Sequence, residues 1–434
     1  TKLLIRSHSF DDLCNLPLLH DETAMYTERV FDALVTATYT MKSDFFPLLT
    51  LLHIQMCIRR GVGTYSPVAF ATYGIMVGAK MGDLKEGFRM GEIATAILSR
   101  LPNKTATSRT IFLIHQFVAH WVKPAFRSIK MSYEGHRVGL RCGDVESAMY
   151  NKMSVALFSW ACGQKLEFVE QESRKVCMES YEYRQRNVRS VIEPYWQQAL
   201  NLMGRSVDPL TLVGEAMSEG CVLADPNCYF YEGLNMYSLK LQLVYLLGGS
   251  LDAMEEYLDK SKLLPELAMG SIQAQRHIFY EGAVAFFLAI NQSGRRRRKW
   301  KNHGLKIKRK IEQWLGQGHV NTTHAIPLYE AEIQILKENR SKAKKLYEES
   351  IRLAGKNGYQ QDRALAHERA GVNFLALGDS YWATYHLSSS RDCYLKWGAH
   401  AKVKQMEDKY LDLCTFNIKE RSGVSDQDSS TVQV

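Results

Sequence analysis

The sequence predicts an all-α fold, an α-solenoid of stacked antiparallel helix pairs with a unit of about 40–46 residues. Three observations predict it. Helix formers dominate while only 10 prolines occur in 434 residues. Glycine-centred turns recur at near-constant spacing, and apolar residues follow a helical period between them. No segment alternates convincingly as a strand.

The segments Gly82-Asp83-Leu84-Lys85-Glu86-Gly87, Gly248-Gly249-Ser250-Leu251-Asp252-Ala253 and Gly378-Asp379-Ser380-Tyr381-Trp382-Ala383 share a glycine followed five residues later by Gly or Ala. Glycine ends a helix because it tolerates the left-handed backbone, and Asp or Ser then caps the next helix. The small residue one turn further lets the second helix approach the first. Extending this reading places turns within pairs near Lys42, Gly82, Lys123, Gly163, Gly204, Gly248, Gly294, Glu338 and Gly378, at intervals of 40 to 46 residues. Six of the nine are glycine, far above what 29 glycines in the chain would supply by chance. Lys42, Lys123 and Glu338 are placed by helix length alone. Gly143-Asp144 has the same chemistry but falls between pairs.

Between the turns, Leu234, Tyr237, Leu241 and Tyr245 following Phe230 predict one apolar face of an amphipathic helix. Ser66-Pro67 reads as a capped helix start with proline in the first turn, and Pro124 as another. A single helix pair leaves its apolar face uncovered, whereas a stack of pairs covers it. The array is therefore expected over residues 1–415 as about nine pairs. The polar, aperiodic stretch 416–434 reads as a linker or disordered tail.

Composition narrows the functional classes. The apolar runs Phe45 to Cys57 and Ala283 to Ile290 fall short of the roughly 20 residues a spanning helix needs. Nine scattered cysteines without a Cys-x-x-Cys suit buried thiols in a reducing compartment. The chain starts at Thr1 without a signal-like region and reads as an intracellular, cytoplasmic segment of something longer. In that setting the sequons at Asn103 and Asn321 are expected to stay unmodified. Net charge is +9, yet residues 295–310 alone hold ten Lys or Arg and no acid, which leaves −1 elsewhere. A broad basic face for duplex nucleic acid is thereby excluded.

Gly371, Phe374, Gly378 and Ala383 stand at the spacing of tetratricopeptide repeats, with Ala331 and Ala343 at matching places in the preceding unit. The units resemble such repeats while exceeding the usual ~34 residues. A further resemblance rests on the runs Ser43-Asp44-Phe45-Phe46-Pro47-Leu48, Ser66-Pro67-Val68-Ala69-Phe70-Ala71, Leu353-Ala354-Gly355-Lys356-Asn357-Gly358-Tyr359 and Tyr394-Leu395-Lys396-Trp397-Gly398-Ala399. Together they make the chain similar to the TPR-like helical region of large multidomain signalling proteins. The resemblance implies that an AAA-type ATPase, often preceded by a serine/threonine kinase domain, comes before the repeats, and that sensor and histidine-kinase domains often follow. It implies a signalling context and no activity in this segment.

Catalytic signatures are not found. There is no Gly-x-x-x-x-Gly-Lys-Ser/Thr loop, no kinase glycine-rich loop, no His-Arg-Asp and no Asp-Phe-Gly. His115 and His120 are five apart rather than four and gain no Cys or carboxylate to complete a zinc set. Cys221 and Cys228 flank Asp225-Pro226-Asn227 with no basic neighbour to activate a thiol. Glu255-Glu256 and Glu348-Glu349 are adjacent and point apart on a helix. No catalytic residue, metal ligand or cofactor site is therefore expected. The one candidate binding feature is the basic run Arg295, Arg296, Arg297, Arg298, Lys299 and Lys301. It reads as a solvated helix start, a nuclear-localisation signal, or an anionic-lipid or RNA contact aided by Trp300.

Two functions are weighed. The first is a non-catalytic interaction scaffold for a protein partner or a neighbouring domain of the same polypeptide. The alternative is a nucleic-acid-binding or transcription-regulatory helical repeat using residues 295–310, which lacks a base-reading side chain recurring with the unit.

Overall fold

The computed structural model describes residues 1–41, 43–101, 104–224 and 230–414. Among them every regular element is helical, and the only extended pairing is in two isolated bridges, Leu18 with Val62 and Val213 with Ser218. The chain opens with short α1 (Lys2–Arg6) and α2 (Phe10–Cys14). It then pairs α3 (Glu22–Thr40) with α4 (Phe45–Arg60), α5 (Ser66–Ile75, extended by a π turn over Met76–Lys80) with α6 (Leu84–Arg100), and α7 (Thr107–Phe117) with α8 (Arg127–Cys142). Next come α9 (Val145–Ala161) with α10 (Leu166–Glu182), and α11 (Arg186–Leu202) followed by short α12 (Glu219–Ala224). Then α13 (Phe230–Leu247) pairs with α14 (Leu251–Ser261), which leads to short α15 (Leu264–Leu267), and α16 (Ile272–Asn291) pairs with α17 (Gly294–Gly316). The last pairs are α18 (Ala325–Leu336) with α19 (Arg340–Lys356) and α20 (Gln360–Ala376) with α21 (Ser380–Trp397), before α22 (His400–Cys414).

The turns obey the glycine chemistry read from the sequence. Gly82, Gly163, Gly204, Gly248, Gly294 and Gly378 all have φ between +56° and +79°. Asp83, Ser250 and Asp379 then accept backbone N–H groups three residues on, at 3.1–3.2 Å. Gly87 shows why the small residue is needed, because a Cβ there would lie 2.8 Å from the Gly74 carbonyl oxygen. Glu338 takes the same left-handed backbone, φ +59°, with Asn339 as the cap, so this turn is a glycine turn built without glycine.

Two turns differ from expectation, at Lys123 and after Gly204, and a third is not described. Lys42 lies outside the described residues, as do Asn103, the 225–229 loop with Cys228, and the 416–434 tail. At Lys123 no left-handed residue occurs; a 3-10 turn over Ala119–Trp121 bends the chain, and α8 starts three residues after Pro124. Gly204 closes α11 as expected, but no full second helix follows it. Instead Asn201 Nδ2 bonds the carbonyls of Pro209 and Thr211, Gln197 Oε1 accepts from Ala216 N–H, and these polar side chains hold an irregular segment against α11. Ser66 likewise does not cap α5, because its hydroxyl donates to the Glu28 carboxylate and accepts from Gly63 N–H.

Burial separates two kinds of helix. In α6, α8, α17 and α19 one stripe is buried and the rest faces solvent. In α5, α9 and α16 nearly every position is buried, and in α20 most are. Helix α13 belongs to this second group, so the amphipathic reading of it is corrected: the polar Asn235, Ser238, Lys240 and Gln242 that flank its apolar stripe are also buried. One apolar core runs from Ala125 to Met406 and a second from Ile5 to Ala119.

The units also touch partners far away in sequence. Asn321, just before α18, reaches the turn between α7 and α8: its Nδ2 donates to the carbonyls of His120 and Lys123, and its Oδ1 accepts from Ala125 N–H and the Tyr359 hydroxyl. Gln361 Nε2 donates to the Ala161 carbonyl at 2.9 Å, Gln116 to Gln273 at 3.0 Å, and the Trp121 indole to the Gly270 carbonyl. Arg276 on α16 forks onto both Asp362 oxygens on α20, at 2.6 and 2.7 Å, and His324 joins from the start of α18.

The Glu338 turn is directly testable. A side chain in left-handed backbone costs about 1–2 kcal/mol, and glycine gives back about 0.5–1 through unfolded-chain entropy. Glu338 is exposed and Glu338→Gly is therefore expected to raise stability by about 0.5–1 kcal/mol in urea denaturation, whereas Gly378→Ala lowers it. A destabilised Glu338→Gly would show that this backbone is not held as described.

Candidate functional site

A cavity of about 350 Å3 opens among α3, α4, α5, α7 and α9, with Glu232 and the 267–273 segment also on its wall. Its wall carries Thr36 and Tyr39 of α3, Phe46 of α4, Thr72 and Ile75 of α5, Arg109, Phe112 and Gln116 of α7, and Tyr150 and Met153 of α9. These residues recur three or four apart, as inward faces of successive helices must. The pairing of α5, α7 and α9 side by side brings the faces together.

Aromatic rings form a continuous wall. Phe112 stacks on Tyr150 with centroids 5.1 Å apart and meets Phe117 edge-on at 5.7 Å. Phe117 meets Tyr39 at 6.4 Å, and Tyr39 meets Phe46 at 5.4 Å. A smaller recess of about 190 Å3 adjoins the cleft and shares Tyr39, Phe46, Ile75 and Leu267 with it. Beyond it, Met41, Phe45, Leu48 and Leu52 continue apolar surface into solvent.

The polar groups are few and mostly engaged. Arg109 donates to Asp32 at 2.7 Å, and Gln116 bridges Gln273 and Ser154. Burial outweighs the Arg109 cation and lifts the Asp32 carboxyl to about 6. Burial also raises the Tyr150 hydroxyl, with Glu146 adding to the rise and Asn187 opposing it by hydrogen bonding. Glu146 and Glu232 bring acidic groups to the wall. Among the described lining residues there is no His, Cys or Lys. The cleft can hold an apolar group against aromatic faces, with acidic groups and a neutralised arginine beside it.

The basic run lies elsewhere. Arg295 to Lys299 occupy the exposed first turns of α17 and Lys301 is half-buried, none of them lining the cleft. Lys299 sits over the ring of buried Trp300 at 4.3 Å, Arg297 donates to the Leu336 carbonyl, and Arg296 approaches Asp252 at 3.5 Å. Among the other residues weighed, His115 contacts Ser128 and His120 contacts the His115 carbonyl in the interior. Cys221 is exposed. Glu255 and Glu256 take different partners, Gln292 and Lys260, and Glu348 and Glu349 take Lys344 and Arg352. Asn321 is buried with its amide fully engaged.

The cleft residues were not singled out from the sequence. The signal was present as Arg109-x-x-Phe112-x-x-x-Gln116 and Glu146-x-x-x-Tyr150-x-x-Met153, polar and aromatic side chains mixed on one helical face. The same pattern arises wherever a buried helix needs polar partners, so spacing alone does not separate wall from core. No family model matches the chain, and no curated protein matches it as a relative.

The interior histidines give a pH signature. Burial lowers His115, His319 and His386 to about 4, and His120 and His367 to about 3. The unfolded chain protonates each near 6.5, so their stabilising contribution is complete above pH 6.5 and is lost as pH falls toward 4, at about 1.4 kcal/mol per unit for each. Asp32 and Glu193, raised by burial, act in the opposite sense but are outnumbered. Urea midpoints are expected to drop steeply between pH 7 and 5; a midpoint constant over that range would contradict the buried, neutral state of these rings.

Proposed function

We propose that the chain is a TPR-like, solenoid-type interaction module, a non-catalytic scaffold segment of a multidomain signalling protein, and that the aromatic cleft receives a partner's apolar anchor. The observation that carries this reading is the cleft itself, a cavity of about 350 Å3 walled by Tyr39, Phe46, Phe112, Phe117 and Tyr150. Pockets of this size with aromatic walls and few polar groups are where apolar anchors bind. The exposed apolar residues Met41, Phe45 and Leu48 beside it extend the contact surface. Antiparallel pairs with left-handed glycine turns support the repeat assignment, and the motif runs noted above support the signalling context. The partner is a protein segment, in the same polypeptide or another, that presents an aromatic or long aliphatic side chain flanked by basic groups complementary to Glu146 and Glu232.

Selection of peptides from a random display library against the purified chain tests the proposal. Selected peptides are expected to share an aromatic or aliphatic anchor. Their affinity should fall at least about tenfold in Tyr150→Ala and Phe112→Ala chains with unchanged circular dichroism, the cost of losing an aromatic contact. Peptides that bind both variants as tightly as the unmodified chain would overturn the assignment of the cleft.

A further inference from the structure

We propose that Glu28, His53 and Cys57 form a structural metal site of the zinc class, clamping α3 to α4. The three donors come from two helices, Glu28 from α3 and the other two from α4, where a spacing of four places His53 and Cys57 on one face. Their ligand atoms all lie within 4.8 Å of one another. Tetrahedral zinc bonds separate ligand atoms by roughly 3.3–3.6 Å, so side-chain shifts of about 1 Å complete the set.

Two observations point to a cation as the occupant. His53 is 1% exposed, and its Nε2 has no hydrogen-bond partner although the ring is fixed by stacking on Phe31. A buried ring nitrogen without a partner is costly, and a metal bond would satisfy it. Glu28 is 2% exposed and, unlike Asp32 one turn further along with its Arg109, forms no ion pair among the described residues. The Ser66 hydroxyl and backbone N–H groups from the 63–66 loop bond its carboxylate, but no side-chain cation faces it. A divalent ion would supply that charge.

The donor types select the ion. Thiolate, imidazole and carboxylate together suit zinc, whereas magnesium and calcium take oxygen alone. On binding, the Cys57 sulfur gives up its proton to solvent and forms the metal bond with the electron pair so released; no oxidant or reductant is needed. Cys57 Sγ donates to Ser66 Oγ at 3.3 Å and that hydroxyl also bonds Glu28, which makes it an oxygen donor at hand for a fourth position. With all three ligands buried, the site is structural rather than catalytic. It lies on the two helices that bring Tyr39 and Phe46 to the aromatic cleft, so metal occupancy would fix that part of the wall.

The full chain, stripped with a chelator and dialysed against Zn2+ or Co2+, tests the site. The expected result is about one tightly held zinc per chain, a thiolate-to-cobalt charge-transfer band in the cobalt form, and a melting temperature raised by Zn2+. Cys57→Ser and His53→Asn should abolish all three, while the double change of the exposed Cys142→Ser and Cys221→Ser should preserve them. No retained zinc, no thiolate band in the unmodified chain, or zinc kept by Cys57→Ser would each overturn the proposal. The cobalt spectrum of the unmodified chain decides the matter even if a variant fails to fold.

Discussion

Helices α5, α9, α13 and α16 are buried on nearly all sides, and this constraint governs much of the molecule. A helix packed all round has no solvent to satisfy its polar side chains, so each must find a partner inside. The partners come from units far away in sequence. Asn321 ties the start of α18 to the turn between α7 and α8, Gln361 ties α20 to the end of α9, and Arg276 crosses to Asp362. In the last case burial favours the neutral acid, yet the arginine fork and His324 hold the Asp362 carboxyl at about 2, so the pair stays ionised. Losing either partner would strand a buried charge, which makes the network a strong selector of one arrangement.

The same constraint explains which parts of the fold were legible in the sequence. Turns were, because left-handed glycine followed by Asp or Ser is a local device, visible in Gly82-Asp83 and Gly378-Asp379 without knowledge of the neighbours. Even Glu338, placed by helix length, fell on the left-handed residue. The turn at Lys123 was not legible in detail, because its shape depends on Asn321 about 200 residues away. The replacement of a second helix after α11 escaped for a similar reason: Gln197 and Asn201 hold that segment through bonds a linear reading cannot assign. Helix α13 read as amphipathic from the recurrence of Leu234, Tyr237, Leu241 and Tyr245, and only the surrounding helices bury Asn235, Lys240 and Gln242 as well.

The proposed cleft and the proposed metal site both lie where packing or pairing is incomplete. Where the N-terminal helices diverge, aromatic faces are left around a cavity instead of closing on one another. Where α3 meets α4, His53 Nε2 has no hydrogen-bond partner, and the buried Glu28 carboxylate, held by the Ser66 hydroxyl and backbone N–H groups, forms no ion pair among the described residues. His53-x-x-x-Cys57 has the spacing of a helical ligand pair but was not singled out from the sequence, and Glu28 comes from another helix, so sequence spacing gives no hint of it. The basic run made the opposite impression. It stood out in the sequence, yet the structure places Arg295 to Lys299 on an outer helix turn away from both features.

Polar bonds that cross the interior tie the fold together, and Asn321 is a residue where four of them meet. Equilibrium urea unfolding of Asn321→Ala beside the unmodified chain measures their worth. Removing the amide strands two buried carbonyls, one N–H and a tyrosine hydroxyl, so a loss of about 2–4 kcal/mol is expected. A loss within the roughly 0.5 kcal/mol typical of surface changes would contradict the closed interior described here.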